Sequence, residues 1–172
     1  MKRKIVVFLI IAICFLLQST LFQALSFASI SPNLLVVVTS SFGFMRGRKE
    51  GMWIGFFCGL LLDIFFGPVI GLYALIYMYI GYLNGMSRKR FFPEEIRLPL
   101  IMISVSDLAC NLLTYLLLFF MRGRFRIGYY FLHIMLPELV YTILITVFLY
   151  YMILRINQKL EATEKRSASK FV

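Results

Sequence analysis

Three acids and the chain's single histidine, Asp63, Asp107, Glu138 and His133, stand inside long apolar runs. A carboxylate in hydrocarbon costs at least a few kcal/mol (~2.5 or more) unless it is hydrogen-bonded, paired or neutral, so each needs a physical reason to be there. Such groups can line a proton or solute path, or they can serve as hydrogen bonds between helices. Asp107 belongs to a polar stripe, Ser104, Asp107, Asn111 and Thr114, whose three-four-three spacing is one face of a helix. Glu138 is followed on its own face by Thr142 and Thr146 and preceded by His133 and Pro137. Both stripes are expected to face a bundle interior, making Asp63, Asp107, Asn111, His133 and Glu138 the candidate buried polar residues. Pro137 also frees a backbone carbonyl and kinks its helix, so a third reading has Glu138 mark that distortion. Catalytic constellations are missing from the sequence: there is no GxSxG, no HExxH and no phosphate-binding glycine loop. We therefore expect no enzyme, no catalytic or metal residues and no cofactor. Cys14, Cys58 and Cys110 are isolated in apolar runs and read as small packing residues.

The elements that must carry these groups are membrane helices. Of 172 residues, 61% are hydrophobic and 15% charged, more apolar surface than one soluble core of this length hides. The expected fold class is an all-α membrane protein in one domain over 1–172. Six transmembrane helices are placed at about 5–27, 31–45, 51–66, 69–86, 99–121 and 129–154, with a basic cytoplasmic tail at 155–172. The start, "MKRKIVVFLIIAICFLLQS", imitates a signal peptide, but its apolar stretch runs on and more spans follow, so it reads as a retained first helix. The formal charge is +10, yet the basic residues sit in clusters between apolar runs and not along a stripe, which fits lipid headgroups and not nucleic acid. With the amino terminus inside, 15 of the 18 Lys and Arg fall on the cytoplasmic side, and both termini lie there. Omitting the short second span would move most of those charges outward. The exception is "RGRFR", whose Arg122, Arg124 and Arg126 face outward, as a cap on headgroup phosphates or as a docking loop. The tail is expected to extend the last helix and fray into a solvated end.

Glycine spacing predicts how two of these helices meet. Gly51, Gly55 and Gly59 recur at intervals of four, and Asp63 is the next position on that face. Gly71, Ala74, Met78, Gly81 and Gly85 answer from the following span, with Gly67 and Pro68 at the turn. In lipid, helices associate by close backbone approach, so Gly51, Gly55, Gly59, Gly71, Gly81 and Gly85 are read as contact surfaces. Asp63, beside the tip, either accepts hydrogen bonds that fix the hairpin or is a substrate or proton site.

Residues 31–85, "SPNLLVVVTSSFGFMRGRKEGMWIGFFCGLLLDIFFGPVIGLYALIYMYIGYLNG", resemble the rod shape-determining protein MreD family. The likeness is carried by Pro32, Asn33 and Leu34 at the start of an early span, then Gly55, Gly59, Leu60, Leu61 and Asp63. It continues with Gly71, Ala74 and Leu75, and ends on Gly81, Tyr82, Leu83 and Gly85. The later spans match in hydropathy alone. The resemblance implies a non-enzymatic subunit of the bacterial elongation complex in the cytoplasmic membrane. It implies direct contact with MreC, with MreB, RodA and its transpeptidase partner in the same complex. It also implies a fold similar to the S components of energy-coupling-factor transporters. That likeness sets the alternative, a substrate-binding S component for a vitamin-type solute.

Overall fold

The computed structural model describes the backbone of residues 2–21, 31–67, 69–90, 96–122, 128 and 131–168. Every element among them is helical. Helix α1 is Lys2–Leu16 and runs on into a π-helical turn, Leu17–Leu21. Helix α2 is Leu34–Arg46, α3 is Arg48–Phe65 and α4 is Leu72–Met86, which a 3-10 turn, Ser87–Arg90, extends. Helix α5 is Arg97–Arg122. A second π-helical turn, Phe131–Met135, leads into α6, Leu136–Ala168. Three stretches are long and apolar enough to cross a membrane, Arg3–Thr20, Arg97–Leu117 and Phe131–Glu164. The six expected helices are present, but α2, α3 and α4 do not qualify as spans by length and composition.

Helix α2 explains why a 13-residue segment can be so apolar and so short. It is about 20 Å long, well under the ~30 Å of hydrocarbon. Every residue from Leu34 to Met45 is buried, and the helix packs against each of the other five. A helix that is apolar all round belongs in a core. Its ends are held by polar groups: the Asn33 side chain caps the first turn by accepting from the Val36 N–H at 3.3 Å, and Arg46 closes the last.

The most extensive helix pair is α3 against α4, and it is the glycine hairpin expected from the spacing. A methyl group on Gly51 would strike the Gly81 carbonyl, one on Gly55 the Tyr77 carbonyl, and one on Gly59 the Tyr73 carbonyl. On the facing side, a methyl on Gly81 would strike the Gly51 carbonyl, and one on Gly85 would lie 2.5 Å from the Arg48 Cα. Gly43 of α2 joins the same seam, 2.7 Å from the Gly81 carbonyl for its missing methyl. Three backbones thus converge where any side chain would hold them apart.

Helix α6 extends past 154 as expected and stays helical through Ala168, but its acids are tied to other helices rather than free in a solvated end. Glu164 pairs with Arg3 of α1 at 2.9 Å and with Arg46 of α2 at 3.4 Å, while Glu161 lies 3.8 Å from Arg46. Arg3 also pairs with Glu50 of α3 at 2.7 Å. Asn157 accepts from the Arg46 Nε. One end of four helices is therefore laced by charge, with the Arg46 side chain only 8% exposed.

Candidate functional site

Asp63 sits at the hairpin tip, 2% exposed. One carboxylate oxygen accepts from the Gly71 N–H at 3.0 Å and the Ala74 N–H at 2.8 Å, and the other from the Tyr73 N–H at 2.9 Å. These donors belong to the first turn of α4, whose N–H groups have no partner inside their own helix. A carboxylate at a helix N-terminus also meets the positive end of the helix dipole. Of the two roles open to Asp63, the geometry shows the hydrogen-bond acceptor that fixes the tip.

Gly71, unlike the other glycines expected to pack, is not a contact surface: a methyl group there would meet nothing within 4 Å. Its φ of +103° lies in the left-handed region, which glycine adopts without penalty. It turns the chain so that its own N–H and those of the next residues aim at Asp63. Pro68 lies outside the described residues.

The second polar region lies between α2, α4, α5 and α6, at the end of the bundle away from the Arg46 ion pairs. A cavity of about 300 Å³ is lined there by Gln18, Ser19, Ser31, Asn33, Tyr73, Tyr77, Asn111, Thr114 and Glu138, with Leu62, Phe66 and Cys110. Asn33, one of the motif residues, is its most connected member. Its Oδ1 accepts from the Tyr77 hydroxyl at 2.7 Å as well as from Val36, and its N–H donates to the Thr142 hydroxyl at 3.2 Å. Pro32 beside it is buried. Asp107 is fully buried one turn deeper on α5, beside Asn33 and Thr142, yet neither of its carboxylate oxygens has a partner of hydrogen-bond geometry. Asn111 Nδ2 and Thr114 Oγ1 likewise lack one. The two stripes thus meet, as their spacing implied. Among the described residues no three His, Cys, Asp or Glu side chains gather as a metal site needs.

His133 does not join them. It is exposed on the π-helical turn before α6. It does not line the cavity that Glu138 lines. Arg124 and Arg126, with the side chain of Arg122, lie outside the described residues.

Sequence reasoning missed a third polar knot. Asn84 of α4 donates through Nδ2 to the Ser106 hydroxyl at 2.7 Å, to the Ile80 carbonyl at 2.9 Å and to the Ser40 hydroxyl at 3.3 Å. It ties α4 to α2 and α5. The only sequence signal was the asparagine itself, next to Gly85 in an apolar helix.

An enclosed central helix, a backbone-to-backbone hairpin and polar groups turned inward define a helical membrane protein in which interhelical packing is the main structural theme. The family described as rod shape-determining protein MreD matches residues 2–160, and the chain belongs to that family. The match takes in α5 and most of α6, well beyond the motifs of residues 31–85. Comparison with curated proteins and with solved structures found no match.

Proposed function

We propose that this rod-shape-determining membrane protein acts as a non-enzymatic scaffold of the elongation complex, holding MreC directly in the bacterial cytoplasmic membrane. MreB, RodA and its transpeptidase partner belong to the same assembly on this reading, and a fold like that of the S components is part of it. The supporting observation is the hairpin tip, where Asp63 spends its buried carboxylate on three backbone N–H groups. A charge placed there for shape favours a body of fixed geometry that partners can recognise. The test is whether the chain restores rod shape to cells depleted of their own copy and co-purifies with MreC from their membranes. Restored shape without MreC in the complex would refute direct contact.

The same proposal has all six helices crossing, with both termini cytoplasmic. It is supported by the charge-laced end, which gathers Arg3 and Arg46 with Glu164 from three helices, the arginines lying where positive-inside bias expects them. Reporter fusions after Lys49, Arg90 and the carboxyl terminus should read cytoplasmic, and one near Arg124 external. A cytoplasmic signal at Arg124 would break the six-crossing arrangement.

A further inference from the structure

Buried polar groups in folded proteins find partners, and an orphan marks a water, an ion or a ligand. Among the described residues, four of the nine buried side-chain atoms without a partner of hydrogen-bond geometry lie on one face of α5. Thr114 is 6% exposed and its hydroxyl, which lines the 300 Å³ cavity, has no partner. Asn111 Nδ2, beside Glu138, and both oxygens of Asp107, one turn deeper beside Asn33 and Thr142, have no partner of hydrogen-bond geometry. Glu138 lines the same cavity, beside Asn111. The size is at the lower bound of cavities that take small ligands, about 300–1,000 Å³.

The chemistry of the wall selects the guest. In a chain of net charge +10, none of the described lining residues is Lys, Arg or His, while Glu138 is an acid and Asp107 another close enough to interact with it. Two neighbouring acids repel each other when charged, and a cation whose N–H groups donate to a carboxylate relieves that repulsion. Asn111 Nδ2 is a donor and calls for an oxygen; Thr114 can serve either. The rings of Tyr73, Tyr77 and Phe66 complete the wall and suit a methylene chain or an ammonium.

We propose that this cavity binds a small primary-ammonium group carrying a nearby oxygen, presented by a free amino alcohol or by the ethanolamine headgroup of a phospholipid. The site stands apart from the scaffold reading, because it is argued from the cavity alone and would be present whether or not MreC binds. The probe is ethanolamine, in equilibrium dialysis against the full chain held in nanodiscs of phosphatidylcholine and phosphatidylglycerol. Saturable binding is expected, displaced by excess unlabelled ethanolamine and not by ethylene glycol. Glu138→Gln should weaken it ~tenfold or more, as loss of a charge-assisted hydrogen bond does, and Thr114→Val by a smaller factor. A second arm offers mixed phosphatidylethanolamine and phosphatidylcholine and reads retained lipid by native mass spectrometry. Preferential retention of phosphatidylethanolamine, lost in Glu138→Gln, assigns the headgroup as source; ethanolamine binding without lipid preference assigns the free solute. No preference in either arm would overturn the proposal, as would folded variants that bind like the wild type. Should Glu138→Gln fail to fold, Thr114→Val decides: unchanged binding rejects the site.

Discussion

Asp63 carries three hydrogen bonds on two oxygens, and they are not equivalent. One oxygen serves Gly71 and Ala74 and the other serves Tyr73. An asparagine can keep the first pair by aiming its single carbonyl oxygen there, but then sets its amide against the Tyr73 N–H. A leucine leaves all three donors unpaired in a low-dielectric site, at ~1–3 kcal/mol each. Asp63→Asn should therefore lower thermal stability in detergent modestly and retain much of the shape-restoring activity, and Asp63→Leu should lose both. Rounded cells with both variants, each folded and present at normal levels, would show that the charge itself is needed and that the hairpin is not its purpose.

Helix packing gives the next test. Gly59 faces the Tyr73 carbonyl with no room for a methyl, while Leu61 of the same helix looks toward α1 and the groove beside it. Gly59→Leu should force α3 from α4 and cut the yield of folded protein several-fold, and Leu61→Val should cost under about 1.5 kcal/mol. Equal melting of the two in detergent would refute the packing claim. This seam was legible in the sequence because a four-residue repeat of glycine is a property of one helix. Asp63 was legible for the same reason, being the next position on that face. What depends on which helices become neighbours was not legible. The Asn84 knot joins three helices whose adjacency no periodicity specifies, and Arg46 read only as one more inward charge until α6 was seen to reach it. His133, expected among the buried polar groups, is exposed because it stands on the π-helical turn before α6, and nothing in the sequence marks where that turn lies. Gly71 was misread because a packing glycine and a left-handed glycine look alike in sequence.

The ion pairs that lace one end bind distant parts of the chain, but not equally. Arg46 is almost enclosed, and one of its guanidinium nitrogens has no partner even with Glu161, Glu164 and Asn157 around it. Glu164 is nearly half exposed and shares two arginines. Exposed pairs contribute roughly 0–1 kcal/mol, and Arg46 keeps Glu161 and Asn157 when Glu164 is neutralised, whereas losing Arg46 removes every contact its enclosed side chain makes at that end. Arg46→Met should depress the unfolding midpoint by several degrees, and Glu164→Gln should barely move it. The reverse order would mean that the contacts of α6, not the burial of Arg46, hold that end together.

The enclosure of α2 bears on how the chain is made. Insertion into the bilayer is read in windows of about 19 residues, and α2 offers 12 before Arg46, Arg48 and Lys49. On its own it is a poor substrate for release into lipid, and its burial partners α3 and α4 are synthesised after it. Biogenesis should therefore stall at α2 until the glycine hairpin emerges, and the three segments should enter the membrane together. Ribosome-arrested chains test this, with the native cysteines replaced by alanine and Val37→Cys as the reporter. In chains cut after residue 66 and joined to the ribosome by a soluble linker that clears the exit tunnel, Val37→Cys should react with a water-soluble maleimide; in chains cut after residue 90 with the same linker it should be shielded. Equal shielding at both lengths would mean that α2 inserts alone.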